Sequence, residues 1–246
     1  MQQQASSSPA TPAPGVASAP AALAVIIPTR RLDASVSAAV EHVRTALRPR
    51  EIIVVEPAGE APPAPAPNGC HRIQAPRGRG TQCNAGARAS TAPALLFLHD
   101  DTRLPADARA VVTAALAEPA LGLACFRLRF DHSHPLLALY AWCSRFDSVW
   151  TTFGDQGYLI RRALFDAVGG FPDWPLFEDV ELARRVRRQR APWRRIRKLN
   201  AAVTTSAVRF QRGGVLRQQL RNAIAMLRFL AGASPARLAV EYERRR

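Results

Sequence analysis

The sequence predicts an α/β fold, a mainly parallel sheet covered on both faces by helices. Three observations predict it. Short, wholly apolar runs of strand length recur along the chain, as expected of strands buried on both faces. Segments with apolar residues three and four apart separate them, which is the alternation of βαβ units. The apolar runs also end in polar residues on their carboxyl side, where open α/β sheets bind ligands.

In chain order, residues 1–21 are rich in Pro, Ala and Ser, carry no charged side chain and predict a disordered tail. The run AALAVII that follows is too short for a secretory signal and meets Pro28. No run approaches the roughly 18–20 apolar residues of a membrane-spanning helix. LAVIIP reads as the first strand. DASVSAAVEHVRTAL reads as a helix with Val36, Val40, Val43 and Leu47 on one face. EIIVVE is a second buried strand, followed by a Pro-rich loop and a short strand at HRIQA. TQCNAGARAS reads as a small helix, ALLFLHD as a buried strand, DARAVVTAALAE as a helix, and LGLACFRLRF as a strand that alternates in its second half. FEDVELARRVRR predicts a helix with an acidic start and a basic end, as the helix dipole favours. Late in the chain, GVLRQQLRNAIAMLRFLAGAS is amphipathic. Leu216, Leu220, Ala223, Leu227 and Leu230 form one stripe, and Arg217, Arg221 and Arg228 form another. Packing of the leucine stripe on the core is the expectation. A membrane-surface helix with its arginines toward acidic headgroups is the alternative.

The 246 residues hold 34 Lys+Arg against 19 Asp+Glu, a formal charge of +15. Such an excess favours polyanionic partners: nucleic acid, acidic lipid or a phosphorylated substrate. Cys70, Cys83, Cys125 and Cys143 show no C-x-x-C spacing and read as thiols of a reducing compartment, hence a cytoplasmic chain, rather than as a zinc site or disulfide framework. No G-x-G-x-x-G follows the first strand and no G-x-x-x-x-G-K-[ST] occurs, which argues against a dinucleotide fold or a P-loop NTPase. A bound phosphate would need another positive partner, and a divalent cation on carboxylate oxygens is the candidate.

Three strand ends are polar: Pro28–Thr29, Glu56 and His99–Asp100–Asp101. Three in succession favour one shared cleft. The stretch ALLFLHDDTRLP has two readings, a strand running into a solvated loop or a metal site at a sheet's carboxyl edge. If strand geometry continues, Asp100 and Asp101 face opposite sides, so one of them suffices for a metal. Glu178 and Asp179 also have two readings. They could be caps of their helix. Asp179, however, shares a face with Leu182, Ala183 and Val186, and an acid at the buried end of such a helix could serve as a general base.

Together, AVIIPTRR, EIIVVE, GRGTQCNAGARAS, LLFLHDDTRLP and GDQGYLIRRALFDAVGGFPDWPLFEDVELARRVRR occur in the order found in family 2 glycosyltransferases of the GT-A fold. The chain resembles most closely the small bacterial group known as selenodomain-associated transferases, over Ala22 to Tyr242. The resemblance implies a single GT-A domain over 22–232, with a nucleotide half at about 22–105, an acceptor half at about 106–200, a C-terminal helix at about 213–232, and a basic tail at 233–246. It implies an inverting transfer from a nucleotide-diphosphate sugar to a hydroxyl acceptor, with Mn²⁺ or Mg²⁺. Carried onto this chain, it implies that Pro28, Thr29, Glu56, Arg79, Asn84 and Asp100 bind the nucleotide sugar. Asp101, with His99, would hold the metal. Asp179 would be the general base beside Glu178. Gly154, Asp155, Gln156 and Trp174 would lie on the acceptor side. Arg161 and Arg162 could add positive charge. Two departures stand out: EPAG replaces the family's DGGS-like run after Glu56, and the late segment NAAVTTSAVRF lacks the family's histidine.

The acceptor class is open at this point, with a lipid-linked hydroxyl and a peripheral seat on the inner face of the membrane as one option. Two other functions remain: a nucleotidyltransferase-like enzyme, and a non-catalytic basic protein binding nucleic acid or membrane. The run RRVRRQRAPWRRIRK, with Trp193 among arginines, is the feature that favours nucleic acid, but such a run more often forms a solvated face.

Overall fold

The structure, a computed structural model, describes residues 22–59, 68–190, 193, 195–207 and 214–244. The predicted disordered tail, most of the Pro-rich loop and parts of the RRVRRQRAPWRRIRK and NAAVTTSAVRF stretches lie outside these residues.

The strands are β1 (Leu23–Pro28), β2 (Glu51–Pro57), β3 (His71–Ala75), β4 (Ala94–Phe97), β5 (Leu123–Phe130), β6 (Tyr158–Arg161) and β7 (Ile196–Thr205). They form one seven-stranded sheet in the order β3-β2-β1-β4-β6-β5-β7. The pairs β1–β2, β2–β3, β1–β4 and β5–β7 are parallel, and β6 runs antiparallel to both its neighbours. The expected mainly parallel α/β fold is therefore observed. The chain builds outward from β1 to β3 and then returns to β4 on the other side of β1. That reversal makes the carboxyl ends of β1 and β4 the topological switch point, where such sheets open a crevice for ligands.

Helices α1 (Ala34–Leu47) and α3 (Ala108–Leu116) cover one face. Val36, Val40, Val43 and Leu47 are buried as the periodicity predicts, and the Asp33 carboxylate caps α1 by accepting from the Ser35 N–H at 2.9 Å. Helix α2 (Arg79–Arg88), with α5 (Arg162–Ala167) and α6 (Glu178–Arg187), covers the other. Alternate residues of β1 serve the two cores: Leu23, Val25 and Ile27 face one, Ala24 and Ile26 the other. The four cysteines form no disulfide.

Helix α2 lies unusually close to the sheet because of Gly86. A Cβ there would stand 2.5 Å from Ile26 Cγ2 and 3.1 Å from Val55 Cγ2. This approach sets the height of the amino end of α2, and hence of Arg79, above the strand ends. Gly86→Ala is expected to destabilise the fold by about 1–3 kcal/mol, because β1 or α2 must shift to admit the methyl group. Urea unfolding of the variant would check this. An unchanged midpoint would show that α2 has room to move.

The antiparallel β6 has a second consequence. Its first residue, Tyr158, pairs with Phe97 at the carboxyl end of β4, whereas its last, Arg161, pairs with Ala94 at the amino end. Residues just before β6 therefore reach the ligand edge, and Arg161 and Arg162 lie at the opposite edge. Arg161 donates to the carbonyls of Leu116 and Glu118, and Arg162 to those of Ala92 and Ala87. Neither can contribute charge to the cleft as the sequence suggested.

Three elements depart from expectation. Helix α4 (Pro135–Cys143) starts from a His134 cap, with Pro135 at its first position. Helix α7 (Val215–Leu230) packs inward through Val215, Met226 and Phe229. The leucine stripe expected against the core faces outward instead: Leu216 is 70% exposed, Leu220 59% and Leu227 57%. The aromatic side chains of Trp174, Phe177 and Phe229 explain the choice, because they form an apolar cluster that captures the Met226 and Phe229 side of the helix. Finally, the segment expected as a basic tail forms helix α8 (Pro235–Arg244), which buries Leu238 in that cluster and pairs Glu241 with Arg228.

Candidate active site

A cleft of about 360 Å³ opens at the switch point. Its walls include Arg79 from the start of α2, His99 and Asp101 from the turn after β4, and Asp155 from the short 3-10 turn Gly154–Gln156. Glu178 and Asp179 from the first turn of α6 complete its charged lining. The structure thus gathers the main charged residues singled out in the sequence into one place.

Strand geometry does not continue through the two aspartates: β4 ends at Phe97, and a turn closed by the Thr102 N–H and the His99 carbonyl separates them instead. Asp101 lines the cleft, while Asp100 turns to β1 and accepts from the Thr29 hydroxyl at 2.7 Å, tying the two sides of the switch point together. Gln82 braces the same edge, donating to the carbonyls of Thr29 and Val55 at 2.8 and 2.7 Å. Sequence reading passed over this residue. The loop continues to Arg103, whose backbone pairs with Thr204 of β7. That bridge carries Thr205 and Ser206 to the cleft wall.

Asp179 is held firmly. Its Oδ2 accepts from the Gly154 N–H at 2.6 Å and its Oδ1 from the Val180 N–H at 2.8 Å. Each oxygen keeps a further lone pair, and the group lines the cleft. A Cβ at Gly154 would lie 3.2 Å from the carboxylate, so this glycine permits the approach. Glu178, 3% exposed, pairs with Arg79 at 3.5 Å. The preceding Phe177 adopts φ 64°, a left-handed conformation that costs a bulky residue on the order of 1–3 kcal/mol. Stacking on Phe229, with ring centroids 4.7 Å apart, holds it there.

Asp155 is the least satisfied acid in the cleft. Its Oδ1 is buried without a hydrogen-bond partner. Burial pushes its carboxyl up to about 7, with the Asp179 charge adding and Arg79 opposing. Burial likewise pushes Glu178 up to about 7, against Arg79 and with Asp179. Both groups keep their protons to higher pH in the folded chain than at their ordinary values of 3.8 and 4.5. The folded state therefore binds more protons than the unfolded state between about pH 4 and pH 7, so stability should fall as pH rises through that window. Thermal melts across it should show the fall, and Asp155→Asn should flatten it. A parent melting temperature that climbs steadily from pH 4 to 7 would contradict the assignment.

Other predicted residues take structural roles. Glu56 is engaged by Arg72 and Gln74 of β3 and is not among the cleft residues. The Asn84 side chain brackets the Phe171 backbone, donating to its carbonyl at 2.8 Å and accepting from its N–H at 3.0 Å. Gln156 is fully buried, donating to the Thr151 carbonyl and accepting from Lys198. Trp174 packs edge-on against Phe229. None of Asn84, Gln156 and Trp174 lines the cleft.

Conversely, the cleft has walls that sequence reading missed. Tyr140, Trp150 and Phe153 form an aromatic side, and Gln218, Gln219 and Asn222 of α7 a polar one. Gln218 and Asn222 are tied together and to Tyr242. Gln219 Nε2 is buried without a partner. Two unpaired polar atoms in one cleft, on Asp155 and Gln219, mark a surface made for a hydrogen-bonding ligand.

Among the described residues, no three His, Cys, Asp or Glu side chains converge as a metal cage. His99 and Asp101, one nitrogen and one carboxylate donor on the same wall, are the residues a divalent cation would meet there. The arginine run of α6 is occupied internally: Arg184, Arg185 and Arg188 surround Glu181, and Arg187 pairs with Asp147.

No protein-family model matches the chain. No curated protein matches it in sequence. Among solved structures it is similar to S. aureus TarS 1–349, with TM-score 0.53 and 15% identity over 75% of this chain and 60% of that one. The same protein in complex with UDP gives 0.51 at 15% identity, covering 76% and 62%. Its complex with UDP-GlcNAc gives 0.50 at 15% identity, covering 75% and 58%. The chain thus spans about three fifths of the length of these structures. The likeness shows a GT-A-like fold.

Proposed function

We propose that this chain is an inverting glycosyltransferase that moves a sugar from a nucleotide-diphosphate sugar to a hydroxyl acceptor. The observation that carries the reading is the single cleft at the switch point, with Arg79, His99 and Asp101 beside Asp155, Glu178 and Asp179. Within family 2, the motifs point to the small bacterial selenodomain-associated group. The UDP and UDP-GlcNAc bound by TarS make a uridine nucleotide the first donor to test.

The acceptor oxygen attacks the anomeric carbon from the face opposite the diphosphate. The carbon–oxygen bond to the diphosphate breaks, the hydroxyl proton passes to the Asp179 carboxylate, and the nucleoside diphosphate leaves. Two backbone N–H groups fix the orientation of Asp179 for that transfer. Arg79 supplies positive charge to the leaving group, and Glu178 orients Arg79. Pro28 and Thr29, with Asp100 behind them, border the nucleotide. Asp155 and Gln219 offer their open polar atoms to the acceptor. His99 and Asp101 would hold Mg²⁺ or Mn²⁺, and the bound ion would offset charge growing on the diphosphate.

Product analysis tests the reading. Incubation with a panel of nucleotide sugars and Mn²⁺ should release a nucleoside diphosphate, by slow hydrolysis where no acceptor is supplied. Release of pyrophosphate would indicate a nucleotidyltransferase instead.

A further inference from the structure

Helix α7 presents three faces around its circumference. At 100° per residue, Leu216, Leu220, Ile224 and Leu227 fall within roughly 80° of arc, and Arg217, Arg221 and Arg228 occupy the next roughly 40°. The first four are 70%, 59%, 45% and 57% exposed. The remaining arc buries Met226 and Phe229 and turns Gln218, Gln219 and Asn222 into the cleft. Helix α4 meets α7 through Leu137 and Val215, and it too carries outward apolar groups, Leu139 and Trp142, with Phe146 just beyond it. Trp150 is both exposed and part of the cleft wall. Both of these helices also border the cleft, α4 through Tyr140.

Charge identifies the occupant. Neither 135–146 nor 215–230 contains Asp or Glu, whereas Arg145, Arg217, Arg221 and Arg228 lie within them. Of these, Arg228 is paired with Glu241. An exposed leucine stripe edged by arginines, with tryptophans nearby, has the composition of a helix lying in a membrane interface. No helix among the described residues is long and apolar enough to cross a membrane, so such a helix would lie on the surface.

We propose that α4 and α7 dock the protein on an anionic bilayer, with the cleft mouth at the lipid surface so that the acceptor hydroxyl is lipid-borne. The acceptor clause rests on the glycosyltransferase reading; the docking does not. Co-sedimentation of the full chain with vesicles of phosphatidylcholine, with and without phosphatidylglycerol, tests it. Binding should require the anionic lipid and weaken at high salt. The double variant Leu220→Glu/Ile224→Glu, both outside the cleft, should lower the vesicle partition coefficient by about 100-fold or more, since each buried aliphatic side chain is worth roughly a factor of ten. A nucleotide-induced rise in melting temperature should stay the same in that variant, which separates docking from donor binding. Equal recovery in the supernatant with and without anionic vesicles at low salt would overturn the proposal. So would a vesicle-independent dimer that the double variant dissociates, because a second copy would then cover the face.

Discussion

Asp179→Asn should lower sugar transfer by on the order of 10²- to 10⁴-fold while donor affinity stays near that of the parent, because the variant cannot take the acceptor's proton. The structure adds a stability cost to this experiment. Asp179 accepts from the Gly154 and Val180 N–H groups on different oxygens, and an amide has only one acceptor oxygen. One backbone N–H would face an NH₂ group, at about 1–3 kcal/mol. Turnover must therefore be compared well below the variant's melting temperature. Glu178→Gln is the control, since it alters the partner of Arg79 and leaves the proposed base intact. Near-normal transfer by a folded Asn variant would remove Asp179 from the chemistry. Asp155, with its unpaired oxygen, would then be the next base to test.

The second large effect is expected at Asp101. Its side chain is exposed at the cleft wall, so Asp101→Ala should still fold. Calorimetric titration with UDP should show loss of the affinity gained from Mn²⁺, leaving only the metal-independent component. Asp100→Ala should behave differently. Asp100 accepts from Thr29 across the switch point, so its loss should lower stability through the β1–β4 junction. Unchanged Mn²⁺-dependent affinity in folded Asp101→Ala would withdraw the metal assignment.

Local periodicity made much of this architecture readable. The valines of α1 and the Asp179 face of α6 follow from spacing alone, and both are buried as expected. Asp100 and Asp101 do part as a continuing strand would have required, but the strand ends at Phe97 and a turn is what parts them. What could not be read depends on contacts between distant segments. Glu56 meets Arg72 because β3 lies beside β2, and no local pattern announces that pair. Gln156 belongs to the motif around Gly154, yet the turn before β6 sends it inward to Lys198 while Asp155 goes to the cleft. Helix α4 is apolar on nearly every side, so it carries no periodic signal. For α7 the amphipathic pattern was plain, but which stripe would be buried was decided by the cluster around Trp174 and Phe177. The polar residues Gln218, Gln219 and Asn222 entered the cleft as a result.

A donor site of this kind must bind a nucleoside diphosphate in the cleft. A thermal-shift panel of nucleoside diphosphates, each with and without Mn²⁺, tests it most directly. A ligand at 100 times its dissociation constant stabilises the native state by about 2.7 kcal/mol. For a chain of this size that corresponds to a rise of roughly 5–10 °C. Such a rise is expected for at least one nucleoside diphosphate with Mn²⁺, and its loss in Asp101→Ala. No rise with any nucleoside diphosphate, with or without metal, would contradict it.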